Sequence, residues 1–345
     1  MTAEKPVVLR LGKWPFSTEK WDKLKEIATV VDCESQTREE FLKDLKTKYT
    51  NVTNIVRTFP SVEQTGRFDS EIIAALPDSV VSVSHNGAGY DQVDPQPLTD
   101  RNIQLSNVTV PVEAPTALTA VYLTLATMRN YQIGHDALVQ GKWTNPDIGR
   151  GAKLGKDPEG QVVGILGMGG IGRAIRDRLV PFGFEKILYY NRSRLDADLE
   201  GEAQYVGFDE LLAQSDVLIV SVPLNPKTHH LVNKEVISKM KDGVIIVNTA
   251  RGAIIDEKVL IEELKSGKVG AFGSDVFEHE PEVPKELYEM PNVVSLPHMG
   301  TWTKQALKNM EEFTVANVEH QIKTGKLLTI VPEQKDIDFK HPARA

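Results

Sequence analysis

Cysteine occurs once in this chain, at Cys33, so neither a disulfide framework nor a cluster of thiolate metal ligands can form within it. That usage fits a reducing compartment and makes the cytoplasm the expected location. No run of eighteen apolar residues is present, which leaves nothing to span a membrane as a helix. The N-terminus, M-T-A-E-K-P-V-V-L, lacks a basic stretch followed by an apolar one and a small-residue cleavage site, so it does not read as a secretory signal. The sequons at Asn51, Asn107 and Asn191 are accordingly read as chance matches. Excess positive charge is missing too. Against 48 acidic residues stand 40 basic ones, a formal net charge of -8, and no basic patch calls for a nucleic-acid partner. Internal repeats and low-complexity segments are also absent.

What is present is a chain of 345 residues, 41% apolar and 26% charged, long enough for two domains. Short β-branched runs at 6–11, 54–56, 80–84 and 103–107 alternate with helix-period segments such as 18–29, which predicts a small sheet of parallel α/β units. At 110–115 the sequence V-P-V-E-A-P breaks regular structure, and 116–130 reads as one long, largely apolar helix entering a second domain. Six further runs follow, at 162–166, 187–190, 217–222, 244–247, 269–272 and 293–296. Their near-continuous apolar character implies strands covered by helices on both faces. The amphipathic stretch 303–323 is expected to return to the first domain, and the tail 332–345 to be loose. The fold class is therefore α/β, two doubly wound parallel-sheet domains, one discontinuous (1–112 and 303–345) and one continuous (113–302).

The turn G-M-G-G-I-G at 167–172 follows a strand and opens a helix. Gly167, Gly169 and Gly172 hold the spacing of a dinucleotide-binding turn, with Met168, Gly170 and Ile171 between them. A glycine-rich packing turn would share the residues, but the strand before it and the helix after it favour the nucleotide reading. About twenty residues on, where a carboxylate would hold the ribose hydroxyls of NAD, the chain has Asn191, followed by Arg192, Ser193 and Arg194. Neutral hydrogen bonds and positive charge suit a 2′-phosphate, so NADPH is favoured over NADH. Farther on, Arg251 in N-T-A-R-G, Glu280 in D-V-F-E-H-E-P and His298 in L-P-H-M-G supply a guanidinium, a carboxylate and an imidazole at expected strand ends. Hydride transfer to a 2-oxo acid needs a cation for the substrate carboxylate and a proton donor at the carbonyl oxygen. His229 and His230 invite a metal reading, but adjacent side chains diverge and no acid stands near them in sequence, so no metal site is expected.

Together with N-G-A-G-Y-D-Q-V-D at 86–94 and V-P-L-N-P-K-T-H-H-L-V-N at 222–233, these segments resemble the D-isomer-specific 2-hydroxyacid dehydrogenases, and more narrowly the fungal glyoxylate and hydroxypyruvate reductase type. The resemblance covers nearly the whole chain. It implies a substrate domain made from both chain ends, a Rossmann coenzyme domain in the middle, an active-site cleft between them and a homodimer. By family position Arg251 binds the substrate carboxylate, His298 donates the proton and Glu280 pairs with His298, favouring its protonated form. Gly87, Ala88 and Gly89 form a backbone nest for the substrate carboxylate. Asp275 holds the nicotinamide carboxamide, Thr116 sits near the cofactor phosphates, and Val222, Pro223 and Thr228 line the adenine side. Thr249, Ala250 and Gly300 complete the cofactor set, and Trp143 resembles the tryptophan of a dimer arm. Phe59 and Trp302 are pocket or core aromatics.

The segment 107–120 departs from the family pattern, lacking its N-x-P start and carrying Leu118 where an acid is common. The expected activity is NADPH-preferring reduction of glyoxylate, hydroxypyruvate or a related short 2-oxo acid. The alternatives are an NAD-linked dehydrogenase of a bulkier D-2-hydroxy acid and a nucleotide-sensing protein of the corepressor kind.

Overall fold

The computed structural model describes residues 5–143 and 153–341. The chain divides into two compact units, Met1–Val112 with Thr303–Ala345, and Glu113–Trp302. The first holds β1 (Val7–Leu11), β2 (Thr29–Asp32), β3 (Asn54–Thr58), β4 (Ser82–Asn86) and β5 (Gln104–Ser106). All pair in parallel in the order β2-β1-β3-β4-β5, the doubly wound order of flavodoxin-like sheets. Side chains alternate across the sheet as a two-residue period demands. Val7, Leu9 and Leu11 enter one core, while Val8 enters the other with Trp21, Val56, Val315, Val318 and Ile322. The last three lie on the helix Lys304–Thr324, so the returning C-terminal segment covers one face of this sheet.

The second unit holds β6 (Val162–Leu166), β7 (Lys186–Tyr190), β8 (Gln204–Tyr205), β9 (Val217–Val220), β10 (Val244–Asn248), β11 (Val269–Ser274) and β12 (Val293–Ser295). Their order is β12-β11-β10-β9-β6-β7-β8, again parallel throughout. The chain winds outward in both directions from β6, so a switch point lies where β6 and β9 adjoin; ligands bind at such points, beyond the carboxyl ends of the strands. Leu166, Leu218 and Ile246 pack on one face, and Ile165, Ile219 and Val247 on the other. Burial on both faces explains why these strands read as unbroken apolar runs.

Four expectations are corrected. The predicted helix over 18–29 ends early, at Leu24, and Thr29–Asp32 forms the edge strand β2 instead. Thr29, Val30 and Val31 are consecutive β-branched residues, which fit a pleated surface better than a helix. β8 was not foreseen, because two residues carry no readable period. The apolar helix begins at Val110 and runs to Met128. Pro111 falls in its first turn, where an N–H has no intrahelical partner to lose, and Pro115 is carried inside it. Finally, the tail is docked as far as it is described. The Gln334 side chain accepts from the Leu105 amide at 2.7 Å and donates to the Ile103 carbonyl at 3.0 Å, and both Gln334 and Phe339 are buried.

Candidate active site

The glycine turn leaves β6 directly. Gly167 has φ +101, and a Cβ there would lie 2.6 Å from the Ser221 carbonyl oxygen and 2.8 Å from Val222; only glycine fits that conformation and that approach. At Gly172 a Cβ would meet the Gly167 oxygen at 2.2 Å, so this glycine lets the helix Gly170–Leu179 start tight against the strand. Gly169, which caps the helix, has open space where its Cβ would be, leaving room for a phosphate before the free amides of the first turn. Across the turn, Glu113 stands against Gly170. The Met168 amide donates to Asn191 Oδ1 at 2.7 Å, tying the turn to the end of β7.

Of the cationic residues that follow Asn191, Arg194 is already engaged. It makes a two-pronged pair with Glu200 at 2.8 and 2.9 Å, and Tyr189 donates to the same carboxylate. The Arg194 hydrogen bonds, then that of Tyr189, hold the Glu200 carboxyl down at about 2. Arg192 and Ser193 remain exposed at the surface. At the end of β9, Thr228 Oγ1 donates to the Pro223 carbonyl at 2.6 Å and accepts from the Asn225 amide at 2.9 Å, which closes the loop following Val222.

At the end of β10, the buried Asn248 side chain accepts from the Ala250 amide at 3.0 Å and donates to the Arg251 carbonyl at 2.9 Å. This brace, which sequence reasoning missed, shapes the turn that presents Arg251. Its neighbour Gly252 presses on the next loop: a Cβ there would lie 1.9 Å from the Phe277 carbonyl carbon. The two segments are thereby held together, and the Arg251 charge acts on Glu280. Thr249 is buried, and its hydroxyl has no hydrogen-bond partner among the described residues. A buried hydroxyl left unmatched by protein is suited to a bound ligand.

Glu280 accepts from the Phe277 amide through Oε1 at 2.9 Å and meets His298 Nδ1 through Oε2 at 2.7 Å. Burial pushes its carboxyl up, but the hydrogen bond and charge of His298, the Phe277 amide and Arg251 together bring it below the ordinary value. Glu280 therefore stays ionised. Its other oxygen being held by the amide, the carboxylate aims at Nδ1 and turns Nε2 of the ring outward. His298 itself sits in the left-handed region, φ +53, with its amide donating to the Asp275 carbonyl at 2.8 Å.

Asp275 is buried, and its two carboxylate oxygens accept from the amides of Met299 and Gly300 at 2.6 and 2.7 Å. Burial raises its carboxyl above the ordinary range, with those amides working against the rise. Asp275 thus fastens the loop that carries His298. Thr116, buried on the long helix, faces Gly300.

In the smaller unit the loop after β4 is pinned by Asn107, which donates to the Ala88 carbonyl at 2.6 Å, and by the Val108 amide, which donates to the Gly87 carbonyl at 2.9 Å. The Gly87 amide bonds the His85 carbonyl at 3.0 Å. Of the three amides expected to form a nest, that of Gly87 is thus engaged within the chain, while those of Ala88 and Gly89 have no acceptor among the described residues. Beneath the loop lies Arg57, fully buried, with Nη1 3.2 Å from His85 Nδ1 and burial pushing its pKa down to about 10. Trp302 and Trp143 are largely exposed rather than core. The absence of an acid near His229 and His230 is also corrected, since the fold brings Glu278 to them, with Oε1 2.7 Å from His230 Nε2.

The family model described as D-isomer specific 2-hydroxyacid dehydrogenase, NAD binding domain, matches residues 121–300. Glyoxylate reductase 1 of Saccharomyces cerevisiae is 50% identical over 346 residues, covering 99% of each chain. 4-Methyl-2-oxopentanoate reductase A of Aspergillus oryzae is 44% identical over 96% of this chain and 99% of its own. Among solved structures, a glyoxylate reductase from Paecilomyes thermophila matches with a TM-score of 0.92 at 42% identity, over 96% of this chain and 99% of that one. No described helix is long and apolar enough to cross a membrane. A glycine turn on a sheet wound outward from β6, a paired imidazole and carboxylate, and matches that run the length of the chain lead to one assignment: the protein belongs to the D-isomer specific 2-hydroxyacid dehydrogenase family and is an NAD(P)-dependent oxidoreductase.

Proposed function

We propose that this protein reduces glyoxylate, hydroxypyruvate or a related short 2-oxo acid to the D-2-hydroxy acid, using NADPH in preference to NADH. The observation that carries the reading is the 2.7 Å contact between His298 Nδ1 and an ionised Glu280, with the Arg251 charge acting on the same carboxylate. The residues fit a dinucleotide: Gly169 leaves space before a helix start, and the Thr249 hydroxyl is buried without a protein partner among the described residues. When bound, the reduced nicotinamide supplies the hydride. Arg251 grips the substrate carboxylate and fixes the 2-oxo group, and the amides of Ala88 and Gly89 serve as further anion donors. His298 Nε2–H gives its proton to the carbonyl oxygen, and Glu280 holds the ring in the one orientation that allows it. Asp275, with spare lone pairs on its carboxylate, receives the carboxamide while fastening the His298 loop. Arg192 and Ser193 meet a 2′-phosphate where an NAD-specific site would carry an acid.

A homodimer belongs to the same reading. Its support is the exposed apolar side chains of Leu118, Tyr122, Tyr131, Leu138, Val139 and Trp143, carried on and just after two consecutive helices, since grouped exposed apolar residues mark interaction surfaces. A second reading, reduction of a bulkier branched acid, is favoured by the resemblance to the Aspergillus oryzae protein named for 4-methyl-2-oxopentanoate.

Initial rates with NADPH and NADH against glyoxylate, hydroxypyruvate, phenylglyoxylate and 4-methyl-2-oxopentanoate test the proposal. The highest kcat/KM is expected with NADPH and glyoxylate. Turnover confined to the larger acids would transfer the assignment to the second reading. Asn191→Asp keeps an oxygen for the Met168 amide but adds negative charge, and is expected to weaken NADPH roughly tenfold relative to NADH. An unchanged preference would remove that strand end from the selection.

A further inference from the structure

His229 and His230 are neighbours in sequence, yet their rings stack at 4.0 Å with planes 26° apart. The cause is backbone. His230 takes φ +50, a left-handed conformation uncommon outside glycine and asparagine, which turns its ring back over that of His229. The segment is held there: the His230 amide donates to the Ala253 carbonyl at 2.9 Å, and Val232 pairs in parallel with Ile255. From 48 positions away in sequence, Glu278 brings a carboxylate to the same spot, with Oε1 2.7 Å from His230 Nε2. Glu278 is fixed in turn by the start of the helix Glu257–Ser266. Its amide donates to Glu257 Oε1 at 3.1 Å, and its Oε2 accepts from the Glu257 amide at 3.4 Å.

We propose that His229, His230 and Glu278 form a three-ligand site for a divalent first-row transition metal such as Zn2+. The three ligand atoms lie within 4.8 Å of one another. Tetrahedral bonds of about 2.0–2.1 Å require ligand atoms roughly 3.4 Å apart, so the set closes on an ion by side-chain rotation with the backbone as it stands. Two imidazoles and one carboxylate suit Zn2+, Ni2+ or Cu2+ and not Mg2+ or Ca2+, which take oxygen ligands. Asp256 Oδ2 lies 4.0 Å from His230 Nδ1. Without an ion the His230 proton faces Glu278; with one it moves to Nδ1, on the Asp256 side, as ligating histidines commonly arrange their second nitrogen. His279 Nε2, 4.0 Å from Glu278 Oε1 and on an exposed side chain, is within reach of the fourth position, which water otherwise fills. The site shares its segment with Glu280, and its backbone meets that of Ala253, two residues beyond Arg251. An ion there tethers that segment to the 229–230 loop, and it does so whatever substrate the enzyme turns over.

The test uses the full-length, tag-free protein stripped with a chelator, titrated calorimetrically with Zn2+ and, by visible absorption, with Co2+ as a spectroscopic stand-in. One ion per chain is expected, with no binding of Mg2+ at the same concentrations. His229→Ala, at an exposed position, and Glu278→Gln are each expected to weaken binding more than tenfold. Asp256→Asn preserves the N-cap oxygen that accepts from Val259 and is expected to weaken binding about ten- to hundredfold. Absence of Zn2+ binding by the unaltered protein, or equal affinity in His229→Ala, would overturn the proposal. Thermal unfolding of each metal-free variant identifies any loss that comes from misfolding, and His229→Ala, which removes only a surface ring, decides the matter.

Discussion

Two strands of this molecule end in glycine loops, and the loops are built on opposite plans. After β6 the chain turns at Gly167 and enters a ten-residue helix at once, so the loop is a helix start with several free amides. After β4 the chain turns at Gly87 and runs through 87–94 before the helix Pro95–Asp100 begins. There the first amide is spent on the His85 carbonyl, and Asn107 and Val108 pin the loop from outside. A diphosphate is long and doubly charged and suits the first plan; a single small carboxylate needs only two amides in a concave loop. Glycines of similar appearance thus do different work. At 167 and 172 they remove backbone collisions, whereas the Cβ absent at Gly87 would collide with a side chain, the His85 ring, at 2.7 Å.

The largest expected effect comes from collapsing the first plan. Gly172→Val drives a branched side chain into the Gly167 carbonyl and is expected to cost about 1–3 kcal/mol of stability and all measurable cofactor binding; denaturant unfolding and nucleotide titration check both. His298→Asn leaves both loops intact and is expected to lower kcat by about 10²–10⁴ with nucleotide affinity unchanged, separating the loops from proton transfer. Gly87→Ala presses on the buried His85 ring and is expected to raise KM for the 2-oxo acid roughly tenfold, with kcat for the saturated enzyme and nucleotide affinity retained; equal losses in both ligands would erase the division of labour between the loops. Smallest is Gly169→Ala. Space is open there, so unfolding should change by less than about 0.5 kcal/mol, while NADPH binding weakens by roughly five- to tenfold. A stability loss matching that of Gly172→Val would show that the two glycines do the same work.

The parallel sheets were legible because strands buried on both faces, such as V-V-G-I-L, carry their signal in every residue. β2 was not, because Thr29–Asp32 is a half-exposed edge whose pairing with β1 appears only once the sheet exists. The segments bearing Arg251, Glu280 and His298 were legible by family spacing, and the structure places the last two in contact. Asn248 stood in a quoted motif without a role, since a brace to residues two and three positions on depends on a turn that composition does not reveal. Glu278 was hidden from His230 for the opposite reason: 48 residues separate them, and only the winding of β10 and β11 brings them together. The tail looked loose because its anchors, Gln334 and Phe339, are isolated residues in a polar stretch.

The two units also differ in how they can be assembled as the chain is made. The Glu113–Trp302 unit is continuous, so every strand of its sheet has emerged by Ser295 and it can close as a domain during synthesis. The smaller sheet is made first and finished last. Its core beside Val8, Val56 and Trp21 stays uncovered until Val315, Val318 and Ile322 arrive on the helix Lys304–Thr324. A nascent chain released from the ribosome as far as Trp302 would therefore hold a folded nucleotide-binding unit alongside a sheet with one bare apolar face, and that nascent chain, not the finished enzyme, is the form most in need of a chaperone.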